Sequence, residues 1–273
     1  MPIKFKRSIL AFAAAAAIGL PLAAEAHRAW FLPSATVLSG KDPWVTIDAA
    51  VSNDLFYFEH QPMRLDNLVL FGPDGKEVKA ENSATGRYRS TFDVHLTQPG
   101  TYKFAVVNQG LFASYKENGQ PKRWRGKAED LAKQVPANAE DLRVTQSQSR
   151  MEVFVTAGKP SDAVLKPTGQ GLELAASTHP NDLFVGEKAN FGLLLDGKPV
   201  ADLKVTIIPG GIRYRDKLQE ITATTDKDGK FSVTWPEPGM YWLEANLRDD
   251  KNVAAPAKER RASYVATFEV LPQ

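Results

Sequence analysis

Short runs in which apolar and polar residues alternate, separated by turn sequences, make up most of the chain after residue 43. In the first run, Val45, Ile47 and Ala49 alternate with Thr46 and Asp48. A period of two residues is typical of a β-strand with one buried face, and Gly, Pro and Asp between such runs indicate turns. The pattern predicts an all-β protein with strands over 44–51, 68–71, 92–96, 102–107, 151–156, 205–209, 231–235, 241–245 and 264–270.

The predicted strands fall into two groups of similar design. Each group contains an Asp-Gly turn and, later, a Pro-Gly turn that leads into an aromatic strand, as in 98–102 (QPGTY) and 237–241 (EPGMY). Short strands with regular turns are typical of sandwiches. We therefore predict two immunoglobulin-like antiparallel β-sandwich domains in tandem. The N-terminal domain covers 27–157, a linker rich in Gly and Pro covers 158–171, and an immunoglobulin- or transthyretin-like domain covers 172–273.

The region 116–150 interrupts this pattern because it is polar and has few β-branched residues, and it is predicted to be an insertion in the N-terminal domain. Within it, 128–134 is predicted to form a short helix with Leu131 facing inward. The basic and aromatic cluster over 122–127 (KRWRGK) has two readings. It is either a surface for an anionic polymer or, as the charge balance favours, a solvated loop with Trp124 packed against the body.

The first 26 residues have the order of a secretory signal peptide. Three basic residues lie within the first seven positions, 9–22 is an alanine-rich apolar run, and 24–26 (AEA) is a small-x-small cleavage site. Cleavage after Ala26 is predicted, with an uncleaved anchor as the alternative. The later sequence has no stretch apolar enough to predict a transmembrane segment in the mature chain.

Charge and cysteine content restrict the function classes. The chain has 34 basic and 32 acidic residues, and removal of 1–26 leaves 31 of each. A neutral chain argues against a nucleic-acid binder, which needs a basic face. The chain has no cysteine, so thiolate metal sites and thiol nucleophiles are excluded.

Cleavage after Ala26 would place His27 at the new N-terminus. Its α-amine would then lie on the same residue as an imidazole, and an α-amine has a reference pKa of about 8, low enough for it to lose its proton to a metal near neutral pH. Amine, ring nitrogen and a second histidine would form a T-shaped site with three nitrogen ligands. Such a site favours Cu(II) or Ni(II) over Zn(II). The apolar run 29–32 would fix the terminus in the first sandwich.

The second ligand must come from three other histidines. His60 is the preferred partner because it lies in the same predicted domain as the N-terminal run, and His95 is next. His179 opens the second predicted domain. Asp54 and Glu59 are possible oxygen ligands beside His60. The prediction requires ring nitrogens of His27 and its partner within about 8 Å of each other, since metal–nitrogen bonds are about 2 Å long.

Known catalytic motifs are absent from the sequence: it has no Gly-x-Ser-x-Gly, phosphate-binding loop, dinucleotide fingerprint or zinc-protease helix. A non-enzymatic protein is therefore predicted. Two such functions remain open: a transition-metal-binding accessory protein, and a protein- or glycan-binding β-sandwich module without metal. The enzymatic alternative is a copper-dependent oxidase that acts on a polymer.

The segments 27–33 (HRAWFLP) and 56–62 (FYFEHQP) are similar to those of the domain-of-unknown-function 4198 family, as are 171–174 (GLEL), 179–183 (HPNDL) and 212–216 (IRYRD). The resemblance covers nearly the whole mature chain. It implies an exported, periplasmic protein of a Gram-negative bacterium, and members have been labelled NikM-like components of nickel or cobalt uptake. The implied cargo is thus Cu, Ni or Co, and the implied partner is an outer-membrane receptor or a metal transporter. NikM proteins proper span the membrane, and this sequence departs from them in that respect.

Overall fold

The computed structural model describes residues 27–251 and 253–273, so the predicted signal peptide lies outside the described residues. Its elements are β1 (Arg28–Pro33), β2 (Val37–Leu38), β3 (Trp44–Ser52), β4 (Gln61–Pro62), β5 (Leu68–Phe71), β6 (Glu81–Thr85), β7 (Ser90–His95), β8 (Gly100–Glu117), β9 (Gln120–Gly126), α1 (Ala128–Gln134), β10 (Glu140–Ala157), β11 (Leu172–Ala176), β12 (Lys188–Leu195), β13 (Lys198–Pro199), β14 (Lys204–Pro209), β15 (Ile221–Thr224), β16 (Lys230–Thr234), β17 (Gly239–Asp249) and β18 (Glu259–Val270). The prediction of an all-β sandwich fold is confirmed.

These strands form three sheets. The first sheet has the order β1-β3-β7-β6, with β4 beside β3. The middle sheet has nine strands in the order β15-β14-β17-β18-β10-β8-β5, with β2 beside β10 and β9 beside β8. The third sheet contains β11, β12 and β13, with β16 also paired to β12. Most neighbours are antiparallel, but β10 runs parallel to β2 and to β18.

The parallel pairing of β10 with β18 makes the middle sheet continuous across both halves of the chain. Residues 145–153 of β10 pair with 259–267 of β18. The predicted linker, 158–171, connects the halves over this sheet and contains a short 3-10 helix, Ala163–Leu165. The division of the chain into domains at 157 and 172 stays a prediction, because a sheet shared by both halves does not mark a domain boundary.

The middle sheet is covered on both faces. On β10, Met151 and Val153 point into a core shared with the first sheet, whereas Phe154 points into a core shared with the third sheet. Successive side chains of a strand point to opposite faces, so the two cores lie on opposite sides of the middle sheet. Trp242 and Val265, both from the second half of the chain, belong to the core of the first sheet. The three sheets therefore form three layers, with one core on each side of the middle sheet.

A buried ionic cluster lies on the face of the middle sheet that carries the second core. The Arg150 guanidinium is 3.1 Å from Glu152 Oε1 and 3.3 Å from Glu173 Oε1, and all three side chains are buried. The buried Tyr264 hydroxyl donates to Glu152 Oε2 at 2.9 Å, and Lys103 Nζ lies 4.0 Å from Glu152 Oε1. Since each charge has an opposite charge beside it, the desolvation cost of burying them is offset.

Both halves contain a tyrosine corner, which is typical of immunoglobulin-like sandwiches. The Tyr102 hydroxyl donates to the carbonyl oxygen of Gln98 at 2.9 Å and accepts from its backbone N–H. Tyr241 makes the same pair of bonds with Glu237. The sequence similarity between QPGTY and EPGMY thus corresponds to a shared turn structure.

The segment predicted as a polar insertion is mostly strand. The outer parts of β8 and β10 extend beyond the first core and, with β9 and α1, enclose a small apolar cluster. The predicted helix is confirmed with the same bounds, and Leu131 is its buried residue. Trp124 packs against this cluster and its Nε1 donates to Gln134 Oε1 at 2.8 Å. In the part of the chain that the structure describes, no helix has the length and apolar character needed to cross a membrane.

Candidate functional site

The start of β1 is held by both halves of the chain. Trp242, on β17, donates its indole N–H to the carbonyl oxygen of Ala29 at 2.9 Å. Arg28 donates from Nη1 to the carbonyl oxygen of Asn53 at 3.0 Å, and its guanidinium lies 5.7 Å from the centre of the Trp242 ring. The residue before Arg28 is therefore presented from a fixed backbone.

Trp30 anchors the aromatic loop 53–60 to this strand. Its ring is fully buried, and its Nε1 donates to Ser52 Oγ at 2.8 Å. Phe56 meets the Trp30 ring edge-on at 5.5 Å between centroids, and Phe58 lies 5.4 Å away. Aromatic packing of this kind gains about 0.5–1.5 kcal/mol per pair beyond the area buried.

The loop is closed by Glu59. Its Oε1 accepts the backbone N–H groups of Asn53 at 2.8 Å and Asp54 at 2.9 Å. Phe56 adopts a left-handed backbone with φ of 62°, which is uncommon for an aromatic residue and is held here by the packing against Trp30. The Glu59 carboxylate is thus committed to the loop itself, and His60 follows it directly.

His27 and His60 meet at this position. Their rings are stacked, with centroids 3.8 Å apart and planes inclined by 9°, and both residues are exposed. The histidine that sequence analysis preferred as partner is therefore brought next to His27. A metal ion binds in the plane of each imidazole, and stacked parallel rings share no such point. Chelation by this pair requires one ring to turn about its Cβ–Cγ bond.

His95 lies elsewhere. Its ring stacks on Trp44, with centroids 4.4 Å apart and planes inclined by 3°, and it is bonded to the carboxylate of Asp42. Trp44 pairs with His95 at one end of β3, whereas Arg28 pairs with Ser52 at the other end. Eight residues of strand separate these ends, roughly 26 Å at about 3.3 Å per residue. His95 is not part of the site that holds His27.

His179 has a structural setting between the two halves of the chain. One ring nitrogen, Nδ1, accepts the backbone N–H of Asn181 at 3.1 Å, and Nε2 is 2.9 Å from Thr101 Oγ1. Burial lowers the pKa of His179 below its usual range, although the carboxylates of Asp162 and Asp182 oppose the shift. The ring is therefore a neutral hydrogen-bonding group at neutral pH.

The donor set at His27 and His60 is incomplete without the terminal amine. Across residues 27–251 and 253–273, the structure contains no group of three or more histidine, aspartate or glutamate side chains arranged to hold a metal ion. Two imidazoles supply two nitrogens, and the third would be the α-amine that cleavage after Ala26 creates. Two neutral imidazoles and an amine suit Cu(II) and Ni(II) by ligand type.

Residues of the second half complete the surroundings, and sequence analysis did not identify them. The Arg213 guanidinium stacks on the Tyr57 ring at 4.0 Å. A Cβ at Gly210 would lie 3.1 Å from the Phe56 ring, so the absence of a side chain there permits the close approach of the aromatic loop. The Gly210-Gly211 pair in the sequence is the signal that could have indicated this contact. The segments 27–33, 56–62 and 212–216 thus lie together in space.

The family comparison matches most of the chain. The profile described as "Domain of unknown function (DUF4198)" covers residues 24–249. No curated protein sequence matches the chain.

Solved structures with a similar arrangement are distant. The D0-D1 domain of Intimin aligns over 87% of this chain and 96% of its own, at 15% identity and a TM-score of 0.20. A DUF4785 family protein from Legionella pneumophila subsp. pneumophila str. Philadelphia 1 aligns over 79% of this chain and 50% of its own, at 7% identity and a TM-score of 0.24. Salmonella alpha-2-macroglobulin reacted with methylamine aligns over 88% of this chain and 14% of its own, at 12% identity and a TM-score of 0.24. These TM-scores support no functional inference.

Proposed function

The chain belongs to the DUF4198 family, and we propose that it is an exported, periplasmic protein that binds a divalent transition metal, Cu, Ni or Co, as cargo. The observation that supports this proposal is the stacking of His27 on His60, with centroids 3.8 Å apart. The two exposed imidazoles are in contact, so their nitrogen donors lie close together. The two rings pack against each other, and this packing does not depend on a carboxylate. The terminal amine of a processed chain would be the third donor.

The protein's own residues would position this site. The Trp242 bond to Ala29 and the pairing of Arg28 with Ser52 fix the backbone that presents His27. Glu59 fixes the loop that presents His60. The metal would be handed on to an outer-membrane receptor or a metal transporter, which fits a site that lies open at the surface rather than enclosed.

Titration of Cu(II), Ni(II) and Co(II) into protein that begins at His27 tests the proposal. One-to-one binding is expected, and one extra residue before His27 should weaken it by about a hundredfold or more, since loss of about 2.8 kcal/mol corresponds to that factor. His60→Asn should weaken it similarly. His95→Asn is the matched control, because it removes an imidazole outside the site.

Equal binding by the extended and unextended proteins would contradict the proposal. So would a loss of binding in His95→Asn that matches the loss in His60→Asn. If no sample binds metal, the remaining account is a binding module for a protein or glycan, for which the exposed Tyr214 and the Tyr57–Arg213 stack at the same end of the molecule are the first surface to test.

A further inference from the structure

An open basin with both polar and apolar lining atoms lies on the middle sheet, beyond the area that the first sheet covers. The cavity has a volume of about 390 Å³ and is formed by β10, β17 and β18. A volume of this size is within the range of about 300–1,000 Å³ found for small-molecule sites. Its position differs from that of the histidine pair, because none of its lining residues comes from β1 or from loop 53–60.

The register of the three strands shows which side chains face the basin. Ala262 and Leu247 are paired and both pack toward the second core, so they line the cavity only through their backbone. Their neighbours Ser263 and Arg261 must then point to the opposite face, as does Ser147, the partner of Arg261 on β10. Ser147 and Ser263 therefore place hydroxyl groups on the floor, among the apolar atoms of the lining.

Two guanidinium groups form the rim of the basin. Arg248 donates to Glu259 Oε2 from Nε at 2.9 Å and from Nη2 at 2.5 Å, and Arg261 Nη2 lies 3.6 Å from Glu259 Oε1. Thr145 donates its hydroxyl to the same carboxylate at 2.8 Å. Hydrogen bonds from Arg248 and Thr145 hold the pKa of Glu259 below its usual range, so this group is a carboxylate at neutral pH.

The charge count at the rim favours an anionic ligand. One carboxylate, Glu259, faces two guanidinium groups, so one positive charge remains. Each guanidinium has five N–H donors in a planar fork, and Glu259 uses only some of them. The side chains of Arg248 and Arg261 are 62% and 56% exposed, so the free donors can reach a ligand from solvent. Glu259 thus holds the two guanidinium groups above the floor and leaves some of their N–H donors free.

We propose that this basin binds a small hydroxylated anion, a molecule in which a carboxylate or phosphate group lies near hydroxyl groups. The oxyanion would accept hydrogen bonds from Arg248 and Arg261, which suit planar, two-point recognition of carboxylate or phosphate. The ligand hydroxyls would bond to Ser147, Ser263 and the amide of Asn246, which also lines the cavity. No aromatic ring lines the basin, so the site offers no stacking surface for a nucleobase or an uncharged sugar.

Calorimetric titration with four probes tests this inference: citrate, gluconate, glycerol 3-phosphate and glucose. The protein is purified after expression of the full-length precursor. Binding of one or more anions, with no binding of glucose, is expected, and the stronger class shows whether carboxylate or phosphate is preferred. The double variant Arg248→Gln/Arg261→Gln should weaken binding about tenfold or more, since it removes both charged donors of the rim.

Two further variants separate a built site from general attraction to positive charge. Ser147→Phe keeps both arginines but fills the floor, so it should also weaken binding about tenfold, by loss of space rather than of charge. Arg64→Gln removes an exposed arginine paired with Asp66 away from the basin and should leave the affinity unchanged. Absence of anion binding, equal binding of glucose, or an unchanged affinity in folded Ser147→Phe would overturn the proposal. Removal of His27 should leave anion binding unchanged, so failure of the metal proposal would be a separate result.

Discussion

The buried carboxylate of Glu173 is expected to contribute strongly to stability, and Glu173→Gln tests this with little change in shape. Glu173 Oε1 accepts the N–H of Thr168 at 2.9 Å and the Thr168 hydroxyl at 2.8 Å. Oε2 accepts the N–H of Gly169 at 2.7 Å and that of Gln170 at 3.1 Å. In glutamine one oxygen becomes an NH₂ group, which is a donor. Whichever way the amide turns, two donors lose their acceptor.

The magnitude follows from these bonds and from Arg150. A hydrogen bond to a charged group contributes about 1.5–3 kcal/mol, and two are lost. Arg150 also loses the charge of one of its two buried counter-ions and keeps Glu152. Removal of one partner from a buried ion pair costs about 3–5 kcal/mol, so we expect Glu173→Gln to lower the free energy of unfolding by about that amount. The variant leaves the fold's volume unchanged, so cavity formation adds nothing.

The assay is urea unfolding at pH 7, followed by tryptophan fluorescence and circular dichroism. Glu187→Gln, at an exposed loop position, is the matched control and should change stability by less than about 0.5 kcal/mol. Burial alone would raise the pKa of Glu173, but the hydrogen bonds from Thr168 and Gly169 and the charge of Arg150 outweigh it and lower the pKa. The stability that ionised Glu173 provides is thus present above its unfolded pKa and is lost as pH falls through the lower folded pKa. The wild-type and variant curves should converge in acid. A loss below about 1 kcal/mol at pH 7, or a constant difference at all pH values, would refute this reasoning.

Two further predictions concern the corners and the junction between the halves. Tyr102→Phe and Tyr241→Phe should each lower the free energy of unfolding by about 1 kcal/mol in urea titrations. Their effects should add because the two rings lie in different cores, and a strongly non-additive double variant would contradict this. Burial lowers the pKa of His179, so stability should fall as pH drops below about 6.5, when the unfolded state takes up the proton first. Protonation would also place an N–H at Nδ1 against the N–H of Asn181. In His179→Gln, the urea concentration at the unfolding midpoint should change less between pH 8 and pH 5 than it does in the wild type. An equal change in both proteins would argue against this assignment.

Local features of the fold were predictable because they depend on neighbouring residues. The alternation in β3 correctly predicts that Val45, Ile47 and Ala49 are buried. It fails after Ala49, since Ala50 is buried and Val51 is only half-buried. At Ala50 and Val51, β4 pairs with β3 on the edge opposite β1, and this pairing changes which side chains are covered. The helix over 128–134 was predictable from its local sequence, since polar residues and alanines surround Leu131, its buried residue.

The shared middle sheet was not predictable from the pattern. Its central pair joins residues 145–153 to 259–267, which are more than a hundred positions apart in the chain. The part of β10 over 145–150 is polar and shows no alternation, and even a clear alternation would not specify a partner strand. The polar stretch of β10, with Gln146 and Ser147, indicated an insertion because it lacks β-branched residues. The side chains of this stretch have low β-propensity, and it forms a strand because it pairs with β18 through backbone hydrogen bonds.

The candidate site was predictable in part. The choice of His60 rested on its place in the same predicted domain as the N-terminal run, and in the structure it stacks on His27 beside the packing of Phe56 and Phe58 on Trp30. The choice of His95 rested on its place in the same predicted domain, which says nothing about which end of a strand a residue occupies. Its stacking on an adjacent strand's tryptophan depends on register and was not readable.

The geometry around His27 connects metal binding to processing of the chain. Its ring lies against His60, and the pairing of Arg28 with Ser52 and the Trp242 bond to the Ala29 carbonyl hold the neighbouring backbone. In the precursor, the nitrogen of His27 is part of a peptide bond, which is a poor ligand for a divalent metal near neutral pH. Cleavage after Ala26 would convert it into an amine with a pKa of about 8. In the proposed site, His27 and His60, which the fold brings into contact, would be two of the three donors, and the third would depend on removal of the signal segment. On the proposed function, the protein would gain full affinity for metal only after export, so that it would not compete for metal in the compartment where it is made.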